Sequence, residues 1–341
     1  MRRWMTPLIV AAVVLVAVLA AADALRGHDE PKAAAESPTI TRPSPPTLSD
    51  MLRRDAITGF VVYSDHDCVL HSLLLPRMLD EVVRTDANQP FRMCRFSSGG
   101  GRYLPEGQIA SPGGRLVAEC QGGHIAVWEL QSGIPKRSLR GCPPAWRPDG
   151  RLTYAQGDRI MEGKRVLLTA ADLRAAARNH PNIAGLGSGL RERISVHATD
   201  LAWLDERHLV ASLEIHSRFT EFQFGTALFQ GKAVVGFTTN FGGLLRNWVV
   251  SPSGSFAAGE NGTIVERDGD FTDPPNNLPT GRAVAFSPDE QWLAYATNVS
   301  IYLIGTPRSS EPGRIIRLPA EAQDLVWEPA GVTTGTTTVV R

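Results

Sequence analysis

The sequence predicts an all-β chain folded as a six-bladed β-propeller behind an N-terminal transmembrane helix or signal anchor. Three observations carry this. A turn-centred motif recurs six times at a mean spacing of just over 40 residues, residues 4–22 form an uncharged apolar run, and four cysteines follow that run.

The motif is clearest at 283–296 (AVAFSPDEQWLAYA), 247–258 (NWVVSPSGSFAA) and 145–154 (AWRPDGRLTY). Further copies stand at 108–118 (QIASPGGRLVA), at 200–211 (DLAWLDERHLVA, with the proline lost) and at 324–329 (DLVWEP, cut short). An apolar stretch runs into a Pro-Asp/Ser-Gly turn. Proline pre-sets φ for the first turn position and glycine accepts the positive φ that follows. A second apolar stretch then returns antiparallel. A third, rich in β-branched and aromatic residues, follows at 124–130 (HIAVWEL) and 299–304 (VSIYLI), and a more polar fourth at 314–318 (RIIRL). Four strands per repeat of this period are the unit of a propeller blade, and radial repetition protects edges that a flat sheet exposes.

The N-terminus predicts a compartment. Arg2 and Arg3 precede the apolar run, which in a helix rises about 28 Å, close to the hydrocarbon thickness of a bilayer. The arginines hold the short end cytoplasmic, so the rest of the chain is exported. An uncleaved single-pass anchor and a cleaved signal both fit. The run exceeds the usual h-region, yet Ala20-Ala21-Ala22 and Ala22-Asp23-Ala24 suit a cleavage site and would give a secreted protein. Residues 1–25 are thus the anchor or signal, and 26–56 a Pro-rich linker too polar to build a core. Residues 57–330 form the propeller and 331–341 a flexible tail. In an oxidising compartment Cys68, Cys94, Cys120 and Cys142 are expected to form two disulfides. Three connectivities are open, and the neighbour pairing Cys68–Cys94 with Cys120–Cys142 is the simplest.

The pattern of an apolar residue, an aromatic, S-P-D-G, two variable residues and [LI]-A, followed by an I-Y-[LV] strand, resembles the WD-repeat-like repeats of TolB-type propellers. The copies at 286–303 and 146–154 carry the resemblance best. It implies a TolB-like propeller whose relatives range from periplasmic interaction proteins to enzyme-attached domains. The repeats are degenerate between 169 and 199, and the first blade lacks the turn.

That missing turn predicts how the ring closes. Residues 59–64 (GFVVYS) and 68–74 (CVLHSLL) read as outer strands without an inner one, and 324–329 as an inner strand without outer ones. Together they make one composite blade. Residues 91–96 (FRMCRF) are its expected outermost strand, stapled by Cys68–Cys94. Residues 171–178 (ADLRAAAR) predict a short surface helix between blades, with 185–189 a loop.

The chemistry-bearing motifs are few. GLGSGL at 185–190 fails both the nucleophile elbow and the dinucleotide fingerprint, because Leu186 and Leu190 stand where glycine is needed. Asp65-His66-Asp67 reads as a turn, and Asp268, Asp270 and Asp273 as a hairpin loop with a calcium-like spacing of oxygens but no EF-hand pattern. Trp146, Trp203, Trp248, Trp327 and Phe286 are read as one repeat position filling the gap between stacked blades. No catalytic, cofactor-binding or metal-ligating set is assigned, and no cofactor is expected.

Lys+Arg and Asp+Glu are both 35, a balance that disfavours nucleic acid, which leaves a basic footprint on its partners. Arginine outnumbers lysine 31 to 4, as in GC-rich bacterial sources. The expected function is a non-catalytic interaction platform in the cell envelope. Its partner is a protein, a peptide or an envelope polymer, and the N-terminal helix holds it to the membrane. The alternative is an envelope hydrolase or lyase working at the channel mouth. Three or more carboxylates or histidines converging there would favour that alternative.

Overall fold

The computed structural model describes residues 46–329 apart from 85–87, 100–101, 187–188, 190–192, 218–219, 241–244 and 276–277. The apolar run at 4–22, most of the linker and the tail lie outside these residues. Among the described residues no helix is long and apolar enough to cross a membrane.

Strands are numbered in chain order. The chain opens with helix α1 (Leu48–Arg54) and the strands β1 (Gly59–Ser64), β2 (Leu70–Leu75) and β3 (Leu79–Val82). A hairpin of β4 (Phe96–Gly99) and β5 (Arg102–Pro105) follows, then the sheet β6 (Gln108–Ala110), β7 (Leu116–Gln121), β8 (His124–Glu129) and β9 (Pro135–Arg140). The next sheet is β10 (Pro144–Trp146), β11 (Leu152–Gln156), β12 (Arg159–Glu162) and β13 (Arg165–Leu168). Helices α2 (Ala170–Ala177) and α3 (Pro181–Ala184) lead to β14 (Ser195–Trp203), β15 (His208–Ser217), β16 (Thr220–Gln230) and β17 (Ala233–Thr239). Then come β18 (Val249–Val250), β19 (Phe256–Ala258), β20 (Ile264–Glu266) and β21 (Phe271–Thr272). The last sheet is β22 (Gly281–Phe286), β23 (Trp292–Thr297), β24 (Ile301–Gly305) and β25 (Ile315–Leu318), and β26 (Asp324–Glu328) ends the series.

These strands form six four-stranded antiparallel sheets and one two-stranded sheet. The composite blade is present: β26 pairs antiparallel with β1, Phe60 opposite Glu328 and Ser64 opposite Asp324, in a sheet ordered β26-β1-β2-β3. The innermost strands touch in the order β26, β4, β6, β10, β14, β18, β22 and back to β26, so the sheets close a ring. A separate apolar cluster fills each of the seven interfaces between consecutive sheets. Non-directional burial between stacked faces is what holds such a ring together. The β4–β5 hairpin is a further, two-stranded station between the closing sheet and β6–β9.

The hairpin corrects one expectation. The closing sheet's outermost strand is β3, whereas residues 91–93 run beside only the start of β2, through the Val69–Arg92 bridge and the bond from Leu70 N to Phe91 O (2.9 Å). Phe96 opens β4. Its ring packs edge-on against Tyr103 and sits with Val62 and Leu70 in the interface cluster. The hairpin is therefore held by its neighbours' apolar faces rather than by a strong pattern of its own.

The expected 171–178 helix is present as α2, on the surface between two sheets with one face buried. Thr169 caps it through a reciprocal capping box with Asp172, the arrangement that satisfies orphan N–H groups. Leu173, Ala176 and Ala177 are fully buried in the cluster between β10–β13 and β14–β17. The spacing of three and four residues puts them on one helical face.

Candidate functional site

Each inner strand starts at the same end of the ring, here called the entry face. Phe96 N donates to Asp324 Oδ2 at 2.8 Å, which puts the start of β4 beside the start of β26. The turns between second and third strands return to this face. The Pro-Asp-Gly turns lie at the opposite, exit face.

Both disulfides stand on the entry face. Cys68, in the β1–β2 turn, is bonded to Cys94, just before β4. Cys120, near the end of β7, is bonded to Cys142, just before β10. Each bond ties the second-to-third-strand corner of one sheet to the segment feeding the next inner strand. They are the same clamp at two stations. Ser64 Oγ donates to Cys94 O at 2.7 Å, and Cys142 N to Ala155 O at 2.8 Å, which fixes both feeding segments further.

Two aspartates make an analogous link without covalent bonds. Asp324 accepts from Leu325 N (2.9 Å) as well as from Phe96 N. Asp200 accepts from Leu201 N (2.8 Å) and from Trp248 N (3.2 Å) at the entrance to β18. Both occupy the first position of an Asp-Leu-x-Trp copy, so the same repeat residue bridges to the next station in each case. Burial pushes each carboxyl up to about 6, against the pull of these backbone N–H groups.

Around them lies a mixed charge cluster. Arg95 Nη1 meets Glu106 Oε1 at 2.9 Å, and Asn247 Nδ2 donates to Glu260 Oε2 at 3.1 Å. Burial raises the Glu260 carboxyl, Arg95 and Arg246 pull it down, and Glu106 pushes it up. Arg95 and Glu106 act on Asp324 in the same opposed way, and Glu260 raises Asp200. Arg95 and Glu260 belong to stations on opposite sides of the ring, so the cluster spans the channel mouth. Beside it Arg282 bonds Gln323, and Glu321 meets His66 Nε2 at 3.0 Å.

The folded-state values of Asp200 and Asp324 lie above the ~3.9 of an exposed aspartate. Between those values the folded chain holds more protons than the unfolded chain, so these two groups add stability as pH falls from 7 towards 4. Urea titrations of the wild type and of a D200N/D324N variant check this. The stability difference, wild type minus variant, is expected to grow by about 2–4 kcal/mol between pH 7 and pH 4. A difference independent of pH would show that the carboxyls titrate normally.

The motifs read from sequence are dispersed. Asp65 Oδ1 accepts from Val69 N at 2.8 Å and so acts as a turn residue. Asp273 Oδ1 turns to Thr263 Oγ1 (3.2 Å), whereas Asp268 stays at the β20–β21 turn, 3.5 Å from Asp270 N. Among the described residues no three His, Cys, Asp or Glu side chains gather to hold a metal. Gly185 ends α3, and most of 187–192 lies outside the described residues.

The tryptophan reading needs one correction. Counted from the turn, Val250 takes the place of Trp146, Trp203, Phe286 and Trp327, and Trp248 stands two residues upstream on the same strand face. Even so, Trp248 Nε1 donates to Ser212 Oγ (2.8 Å) on the preceding sheet, as Trp203 Nε1 does to Thr153 Oγ1 (2.8 Å). Sequence reasoning also missed His71, whose ring stacks on Tyr63 with its nitrogens 3.2 Å from Asp65 Oδ2 and 3.4 Å from Asp80 Oδ1. Only a register for β1–β2 reveals that trio.

No family model matches the chain, and no curated protein matches it. The resemblance to TolB-type repeats rests on the motif alone. Among solved structures the chain is similar to the β-propeller domain of Cps50 (Swd1) from Myceliophteria thermophila, at 16% sequence identity and a TM-score of 0.42. That match covers 80% of this chain and 88% of that one. The propeller architecture stands on the ring of sheets itself.

Proposed function

We propose that the chain is an extracytoplasmic propeller, held to the cell membrane by residues 1–25, that works as a non-catalytic interaction platform through its entry face. The observation that carries this is the placement of both disulfides on that one face. There one of them fixes the segment that presents Arg95, next to Cys94. Loops fixed on a rigid scaffold are where binding residues concentrate. The disulfides fit an oxidising compartment. The chain joins the ring at α1, where Leu52 packs between the closing sheet and β22–β25, and Asp55 meets Arg314 at the exit-face β24–β25 turn (2.8 Å). In this reading the ring is a propeller of six full blades and one reduced blade, and its partner is a protein, a peptide or an envelope polymer.

Crosslinked pull-down from cells carrying the anchored chain tests the reading. A partner recovered with the wild type is expected to be lost with R95E/R246E and kept with a charge reversal at the exit face, such as R151E. Equal recovery with all three proteins would remove the entry face from the function.

Glu260 acts on Asp200, and Glu106 on both Glu260 and Asp324, and this coupling among carboxylates favours the second reading, a hydrolase or lyase acting on an envelope glycan or lactone. Asp200 and Asp324 are engaged by backbone N–H groups, which leaves Glu260 as the acid or base to test. Turnover of a glycan or lactone by the purified chain, abolished in E260Q, would replace the platform reading.

A further inference from the structure

The β4–β5 hairpin covers only the inner half of the sheet that follows it. It touches β6, and its Leu104 packs with Val117 of β7 and with Leu130. Among the described residues the hairpin's own sheet has no third or fourth strand to stand opposite β8 and β9. Ile125 and Val127 pack the other way, against β10–β13. Alternation therefore turns Ala126 and Trp128 of β8 to the hairpin side, with Ser138 and Pro135 opposite them on β9.

These four residues share a cleft of about 430 Å³, and the residues lining it all lie within 126–138. Trp128 is only partly buried there, and Ile134, in the turn beside it, is 52% exposed. The lining suits an apolar group, because Ser138 carries its one hydroxyl. A sugar ring would give up water from several hydroxyls here without partners to replace it, a cost that an apolar side chain does not bear.

The rim is cationic. β9 holds Lys136, Arg137 and Arg140 and no acid. Glu129, the acid of β8, takes Lys136 (3.5 Å) and Arg115 (3.9 Å). Arg137 and Arg140 have no carboxylate partner among the described residues. The same strand also offers a backbone edge, since β9 ends the order β6-β7-β8-β9. Gly141 N donates to Gly123 O at 2.9 Å, and stepping along the register from that pair turns the N–H and C=O of Ser138 outward. A strand added at such an edge places alternate side chains on the Trp128 face.

We propose that this cleft binds an extended acidic peptide segment of a partner protein, which seats an apolar side chain on Trp128 and Pro135 and turns its carboxylates to Arg137 and Arg140. The site lies on the outer strands of one sheet and does not depend on the entry-face reading.

Fluorescence anisotropy of the full chain with a labelled nonapeptide, a proline–leucine pair flanked by glutamates, tests this. Saturable binding is expected, weakened at least about tenfold when serines replace the central pair or lysines replace the glutamates. S138W fills the cleft from an exposed position and removes no buried atom, so it should weaken binding about as much while the urea midpoint stays put. R137E/R140E should also weaken binding and flatten its salt dependence, whereas R95E/R246E should leave it unchanged. Absence of saturable binding overturns the proposal, as does binding that S138W leaves intact or R95E/R246E abolishes. Equal affinity for the serine peptide would reduce the site to charge alone and overturn it. Tighter binding of a glucuronate oligosaccharide than of the acidic peptide would assign the cleft to a glycan instead.

Discussion

Reduction of the two disulfides is expected to lower the stability of the ring by about 6–7 kcal/mol, the largest single effect open to a mild treatment. The bonds close loops with sequence separations of 26 and 22 residues. Loop-closure entropy assigns about 3 kcal/mol to each. That is a large share of the 5–15 kcal/mol by which folded domains outlast their unfolded states. Both clamps act at the same end of the ring, so the loss should be felt unevenly. The β4–β5 station has two strands where its neighbours have four, and its feeding segment is the one tied by Cys94. Urea titrations with and without dithiothreitol, and of the C68S/C94S and C120S/C142S variants, provide the measurement. Each pair of substitutions should lower the midpoint, and C68S/C94S should also speed hydrogen exchange in β4 and β5. A midpoint unmoved by reductant would mean that the clamps constrain nothing in the unfolded chain, and the platform reading would lose its main support.

The parts of this fold that were legible in the sequence are those where one residue type answers one local demand. Pro148, Pro252 and Pro288 mark exit-face turns because proline fixes φ wherever it stands. The closing sheet could be read because two incomplete halves, 59–74 and 324–329, lacked what the other supplied. Neighbouring cysteines paired as the simplest connectivity has them. The β4–β5 hairpin was hidden, because Phe96 and Leu104 are held by faces belonging to other sheets and the Gly-rich turn between the strands carries no repeat signature. Helix α2 could be read between blades, and Leu173, Ala176 and Ala177 spell the apolar face by which it docks there. The candidate site was the least legible. Asp200 and Asp324 share a repeat position that could be aligned, yet their partners are backbone N–H groups of the next station, which no alignment of repeats displays. Arg95 and Glu260 belong to stations on opposite sides of the ring, and nothing local in the chain relates them.

Replacing Glu290 by alanine is expected to cost about 3 kcal/mol, and replacing it by glycine about 1 kcal/mol less, although glycine is the smaller residue. Glu290 stands in the β22–β23 turn at the place taken by Gly150 and Gly254 in other copies. It adopts their left-handed conformation, with φ of 60° against 81° and 69°. A non-glycine residue there bears roughly 1–2 kcal/mol of strain. What offsets the strain is the carboxylate, which crosses to the β18–β19 turn of the preceding sheet. Its Oε1 accepts from Ser253 N (2.5 Å), and its Oε2 accepts from Ser253 Oγ (2.7 Å) and from Arg308 Nη1 (2.5 Å). Arg308 also donates to Ser255 Oγ (2.8 Å) and lies over the Phe256 ring, so one side chain joins two sheets. Alanine removes that link, leaves Ser253 N unpaired and keeps the strain, whereas glycine removes link and strain together. Burial pushes the Glu290 carboxyl up, but the bonds from Ser253 and Ser251 and the charge of Arg308 outweigh it and hold the carboxyl below its usual value. Its contribution is therefore complete above the unfolded glutamate pKa and is lost as pH falls, the reverse of Asp200 and Asp324. Urea titrations of wild type, E290A, E290G and E290Q at pH 7 and pH 4 test each step. The order of stability should be wild type, then glutamine, glycine and alanine, with the wild-type advantage narrowing at pH 4. A glycine variant as stable as wild type would show that the crossing carboxylate holds nothing. Equal glycine and alanine variants would show that the backbone there is unstrained.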